Sequence, residues 1–516
     1  MWTQLLRHPK ASHWHVTAAA LSLSALNAAV CAAPVVLDPN LTVSTVVSGL
    51  GVPTSMAFLG SNDMLVLQKQ NGVVQRVVNG VVQGLPVLDL AVNSASERGL
   101  LGMALAPDFA TSKAVYLYWT ESSTGADTTA MSNVPVLGNR VDKFVWNGSS
   151  LTFDQNIVRL RAYQADEGQP QRGNHNGGVI RFGPDGKLYV EIGDVGRRGW
   201  LQNLPNGPFG SGNPDDAFGG PAPDNAHLTG AVLRLNADGS TPTDNPFFVA
   251  GAAIGGEVGA NIQKLFAYGI RNSFGMAFDP VSGQLWMSEN GDDSFDELNR
   301  ITPGMNGGWV QIMGPLSRIG EYKAIETTAP YNGLQQIRWD PSNIANSAAA
   351  AQAAMFMLPG ATYSDPEFSW KYGVAPAAIG FLSGGALGSQ YDGNLFLGAG
   401  RTDLDDGYLY RFVLDAARNG IDTTLNPLWV DLVADNLTKF DGTESELLRF
   451  GTGFGIVTDI QMGPNGNLFI TSLSNGAIYE ISRLQVPEPG SMALVGICAV
   501  LLGVTRRRLK PRPEFC

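Results

Sequence analysis

One short phrase recurs along this chain and constrains its fold more than any other feature: a cluster of turn residues followed at once by an apolar or aromatic strand. Clear copies are Gly183–Val190 (GPDGKLYV), Asp279–Met287 (DPVSGQLWM), Tyr391–Leu397 (YDGNLFL) and Gly463–Ile470 (GPNGNLFI), with weaker ones at Gly60–Leu67 and Asp108–Leu117. Asp-Gly and Asn-Gly before alternating apolar residues form the strongest local hairpin signal, because the turn demands positive φ. Six such units predict six sheets around an axis, an all-β six-bladed β-propeller with long inter-blade loops. The alternative, a sandwich, does not explain six similar hairpin units. Spacing between copies is uneven, so Gly199–Asn225 and Pro303–Pro376 are expected as long loops rimming the central channel. Ala345–Met357 is the best helix candidate and lies within the second of these.

The two ends differ from the body. Residues 1–33 read as a secretory signal: Arg7 and Lys10, a short apolar run from Val16 to Val30, and small residues up to Ala33. At the other end Val486-Pro-Glu-Pro489 precedes an apolar stretch, Met492–Val504, and then Arg506, Arg507 and Arg508. That stretch is shorter than the about 20 residues needed to span a bilayer. The order of its parts resembles the PEP-CTERM sorting tail, which implies export and an exosortase-type partner. One domain, 34–485, is expected between them. It would be exported to the periplasm, outer surface or exterior, and at least transiently membrane-anchored by the tail.

Composition closes off two classes of function. The only cysteines, Cys31, Cys498 and Cys516, fall in the leader and the tail, so the body has neither disulfide nor thiolate chemistry. A net charge of −12 gives no basic face for nucleic acid.

Histidine is scarce. With His8, His13 and His15 in the leader, the body keeps His175 and His227. His175 lies in the glycine-rich turn Gly173–Gly178, with Asn174 before it and Asp194 at the far end of the hairpin that follows. A carboxylate beside an imidazole fixes its tautomer and raises its basicity; the bland reading is a histidine that caps its turn. Arg271-Asn272 in a turn suits an anionic or carbonyl-bearing ligand, or an inter-blade ion pair. Ser288–Asn299 is dense in oxygen ligands, which suits a hard cation such as calcium or a solvated acidic loop. Glu97–Gly102 (ERGLLG) leads into an apolar strand.

In this order the patches, together with Ala375-Pro376, resemble the soluble PQQ-dependent sugar dehydrogenases, the glucose/sorbosone dehydrogenase family of six-bladed propellers. The resemblance runs from Val43 to Ile481. It implies an oxidoreductase that moves a hydride from an aldose or related hydroxyl compound to PQQ and passes electrons to an external acceptor. On that resemblance His175 is the general base, Asp194 orients it, and Arg271 and Asn272 contact the quinone. Glu97 and Arg401 join the cofactor site, Asn174 the substrate site, and the carbonyls of Gly291 and Asp292 hold Ca2+. The chain departs from the family pattern at Glu97, where well-characterised members have Gln, and at Asn174, where sugar-specific members have Asp. Ser383 aligns with a lysine, and Ile456 and Thr458 with two arginines; Arg401 and Arg449 are candidates to compensate. Two other readings compete: a non-enzymatic, calcium-stabilised propeller that binds a partner in an exported matrix, and a metal hydrolase of the lactonase kind.

Overall fold

The computed structural model describes residues 33–485 except 163–172, 197–227, 329–340, 402, 404 and 436–443. The leader up to residue 32, the tail from 486, His227 and the Gly199–Asn225 loop lie outside the described residues. The described chain is an all-β propeller. Its strands form sheets whose members follow one another in sequence, and each of the six copies of the repeated phrase builds the turn between the first and second strands of one sheet. The strand after that turn is buried on both faces, as in Leu188–Ile192, Leu285–Glu289, Leu395–Ala399 and Leu468–Ser472. This double burial is why the phrase reads as a continuous apolar run. Each such side chain contributes about 1.5–3 kcal/mol of burial.

The first strands line the axis. Pro53–Gly60 touches Leu100–Leu105, which touches Ile180–Phe182, and the contacts continue through Gly275–Phe278, Pro376–Phe381 and Val457–Met462 back to Pro53–Gly60. Ring closure joins the two ends of the body: Leu41–Ser48 pairs antiparallel with Ala477–Arg483 in one sheet. Aromatic residues fill the space between sheets, with Trp286, Trp370 and Tyr410 fully buried in one cluster.

Helices are short and lie in the connections. Ala348–Ala354 falls inside the expected Ala345–Met357, started by Ser347, whose hydroxyl accepts from the Ala350 amide. Phe248–Ile254, Gly256–Ile262 and Ile319–Thr327 were not evident from periodicity. Among the described residues no helix is long and apolar enough to cross a membrane.

Candidate active site

A cavity of about 230 Å3 opens at one end of the axis, where the first strands begin. Behind it, Arg181 and Asp459 form an ion pair at 2.7 Å between strands on opposite sides of the ring. Asp459 also accepts from the Ser55 hydroxyl and the Met56 amide. This cross-brace floors the cavity. Beyond it lies a wider mouth of about 450 Å3 at the other end of the axis.

His175 is buried behind the part of the lining formed by Glu97, Gly177 and Gly178, and has a φ of 57°. A left-handed non-glycine residue costs about 1–3 kcal/mol and persists only where its surroundings hold it. Three contacts do so. The His175 amide donates to Glu97 Oε2 at 2.6 Å, its carbonyl accepts from the Val195 amide at 3.1 Å, and its Nδ1 meets Asp194 Oδ1 at 2.5 Å. Asp194 is fully buried and also accepts from the Gly196 amide (2.8 Å) and from Trp309 Nε1 (2.9 Å). Burial pushes the Asp194 carboxyl upward, but His175, Arg271 and Trp309 outweigh it and hold it below the ordinary value. An ionised acceptor places the hydrogen on His175 Nδ1 and leaves Nε2 with a lone pair, the state of a general base.

The motifs that are far apart in sequence meet here. Glu97 Oε2 also accepts from the Asn272 side chain at 3.1 Å. Arg271 donates to the Asn290 carbonyl (3.0 Å) and to Asp292 Oδ1 (2.9 Å), with its guanidinium 5.5 Å from the centre of the Trp309 ring. Asp296 accepts from the Gly291 amide and from the amides of Val374 and Ala375, tying the Gly291 turn to Ala375-Pro376. Asn174 lies against Gly196.

Two carboxyl groups from neighbouring sheets brace the Arg271–Ser273 segment. Glu191, next to last in the strand Leu188–Ile192, accepts from the Ser273 amide; Glu289, the last residue of Leu285–Glu289, accepts from the Arg271 amide at 2.6 Å. Burial pushes both carboxyls well above their usual range. Gly177 is required beside them: its φ is +58°, and a Cβ would lie 2.2 Å from Glu191 Oε2.

The opposite rim is different in kind. Ile456, Thr458 and Leu473 face the cavity there. Ser383 does not: it lines the far mouth, next to Met462, because it lies beyond the far end of the strand that Pro376 begins. Arg401 is held by Asp403 (2.5 Å) and the Gly373 carbonyl, and Arg449 by Asp405; neither lines the cavity. Trp309, Glu191, Glu289 and Asp296 were missed by sequence reasoning. The acidic pair Asp296-Glu297 was inside the oxygen-rich patch, but nothing local marked Trp309. A convergence of several carboxylates on one metal, as a lactonase-type site needs, does not occur among the described residues.

A planar, carbonyl-bearing cofactor fits the His175 rim. Arg271 Nε and Asn272 Oδ1 are buried there without a hydrogen-bond partner among the described residues, a donor and an acceptor left for a ligand.

Comparison with known proteins agrees with this geometry. The family model for glucose/sorbosone dehydrogenase matches residues 50–358, and the PEP-CTERM protein-sorting motif matches 485–508, implying export and exosortase-type sorting. The aldose sugar dehydrogenase of Escherichia coli is 27% identical over 463 residues, covering 89% of this chain and 96% of its own length. The quinoprotein glucose dehydrogenase B of Acinetobacter calcoaceticus is 30% identical over 279 residues, 53% of each chain. The solved apo-form of the Escherichia coli soluble aldose sugar dehydrogenase shares the fold. Its TM-score is 0.56 at 23% identity, over 86% of this chain and all of the other.

Proposed function

The chain belongs to the glucose/sorbosone dehydrogenase family, and from that premise we propose an exported six-bladed quinoprotein oxidoreductase, residues 34–485, that oxidises an aldose or related hydroxyl compound. The observation that carries this is the buried Trp309–Asp194–His175 chain, which is tied through the His175 amide to Glu97 on the cavity wall. His175 Nε2 takes the proton of the substrate hydroxyl, and Asp194 stabilises the imidazolium that results. Asn174 is the nearest candidate to contact substrate. Arg271 and Asn272 contact the cofactor in this reading, and the Arg271 guanidinium, as the donor, stabilises developing negative charge. PQQ, when bound with calcium, supplies the electron-accepting quinone. The main-chain carbonyls of Gly291 and Asp292 are the calcium ligands in this reading, and Glu97 sets the His175 and Asn272 positions at the cofactor's edge. An external acceptor receives the electrons.

A titration of the 34–485 domain with PQQ and calcium, followed by dye-linked sugar oxidation, tests this. Saturable binding at micromolar concentration or tighter, with oxidation abolished in His175→Ala while folding is kept, is the expected result. Full activity in that variant would sink the assignment. The apolar Ile456–Thr458 rim favours a second reading, a propeller that binds a partner and has lost PQQ; it predicts no PQQ binding with calcium present.

A further inference from the structure

The apolar rim is not without charge. Lys69, at the end of the strand Asp63–Gln68, is the one lysine or arginine among the described residues that line the cavity. Its sheet adjoins the one that carries Ile456 and Thr458. The Lys69 amide donates to the Val52 carbonyl, and the Thr458 hydroxyl to the neighbouring Pro53 carbonyl, so both positions hang on the same two-residue segment.

The ammonium is positioned but not neutralised. Nζ donates to the carbonyls of Ser96 (2.7 Å) and Ser94 (3.5 Å), which are neutral partners, and no carboxylate of a described residue lies within ion-pair distance. Glu97, on the same cavity wall, spends its Oε2 on the His175 amide and Asn272. The Lys69 main chain is pinned as well. Its carbonyl accepts from the Leu100 amide, and a Cβ on Gly99 would lie 2.3 Å from that carbonyl oxygen. Burial lowers the basicity of the amine against a smaller opposing pull from Glu97, which marks a charge partly stripped of water. A partly desolvated cation on the wall of a cavity, with no carboxylate of a described residue within ion-pair distance, is the environment of an anion subsite. The plain structural role, capping the Ser94–Ser96 turn, uses two of the three ammonium hydrogens and leaves one for a ligand.

We propose that Lys69 is the anionic-ligand anchor of this cavity. It takes a carboxylate of a planar, multiply carboxylated ligand, from the adjoining sheet, in place of the cations absent at positions 456 and 458. For PQQ this rests on the cofactor reading above; for the carboxylate itself it does not.

The test compares the wild-type full chain with Lys69→Met, which keeps the stem, and Lys69→Arg, which keeps the charge. Calorimetric titration would use two probes with calcium present: PQQ, and trimesate, a planar benzene tricarboxylate with no quinone. Loss of a charge-assisted hydrogen bond predicts binding weaker by about tenfold or more in Lys69→Met. Lys69→Arg should stay close to wild type, and the melting temperatures of the unliganded proteins should be similar. Lys69→Gln serves if the methionine variant does not fold. Unchanged affinity for both probes in the neutral variant overturns the anchor and leaves the quinoprotein reading standing. Trimesate binding that depends on Lys69, without PQQ binding, upholds the anchor and sinks the quinoprotein reading. No binding of either probe to the wild type overturns both.

Discussion

The two rims of the central cavity are built on opposite principles. The His175 side is a closed network in which half-buried Glu97 and buried Glu289, Glu191 and Asp296 serve main-chain amides: Glu97 holds His175, Glu289 holds Arg271, Glu191 holds Ser273, and Asp296 holds Gly291 with Ala375. The facing rim is Ile456, Thr458 and Leu473, with Lys69 as its lone cation among the described residues. A network of this density fixes atoms to a few tenths of an ångström, which proton transfer requires. An apolar rim fixes little and mainly excludes water. On the function proposed above, the contrast separates two tasks, positioning a reacting hydroxyl on one side and accommodating a ligand body on the other.

The largest expected effect breaks the first rim. Asp194→Asn keeps the shape of the side chain, but its single amide oxygen can serve only the His175 side or the Trp309 side, and the charge that fixes the imidazole tautomer is gone. Turnover should fall by about a hundredfold to ten-thousandfold, with ligand affinity nearly unchanged. A comparable loss of affinity instead would mean that the two rims are not separate in function.

Next in size is the floor that both rims share. Asp459→Asn removes a fully buried carboxylate and leaves Arg181 without its ion-pair partner. Breaking a buried pair costs about 3–5 kcal/mol; the partial exposure of Arg181 reduces this to about 2–3 kcal/mol. A urea unfolding midpoint reads the loss. An unchanged midpoint would show that the cross-brace contributes no stability.

The fold was legible because its signal is local. Each copy of the repeated turn phrase sits between the first two strands of its sheet, and the chemistry of about four residues suffices to set it. Much of the site was legible for the same reason: His175 and Asp194 bracket one hairpin, and Arg271 and Asn272 share one turn. What could not be read depends on ring closure. Trp309 reaches Asp194 across 115 positions of sequence, and Lys69 comes from a different sheet than the positions it faces. Ser383 shows the converse error. Alignment placed it with the cavity groups, yet about six residues of strand cover about 20 Å, enough to carry it from one mouth to the other. Alignment also offered Arg401, whose charge is already taken by Asp403.

The smallest expected effect sharpens the comparison through pH. Behind the polar rim, burial pushes the Glu297 carboxyl up to about 8, and Glu367 on the adjoining strand up to about 7. A carboxyl whose folded value is raised binds its proton more tightly in the native state than in the unfolded one. Its stabilising contribution is therefore full below about pH 4.5 and is lost as pH rises through 7 to 8. Asp194, held low, acts in the opposite sense, but only below about pH 4, where its charge disappears. Melting temperature should thus be highest near pH 5 and decline by a few degrees toward pH 8. Glu297→Gln removes the titration; its single amide oxygen can keep the Gly314 bond but not the Asn299 bond, which the other carboxyl oxygen makes, so the variant is less stable throughout while its profile over that range should be flatter than wild type. The apolar rim has no such group to titrate, and a Thr458→Val control should keep the wild-type slope. An equal flattening in both variants would mean that the pH dependence comes from elsewhere in the molecule and that the carboxylate bracing does not distinguish the rims.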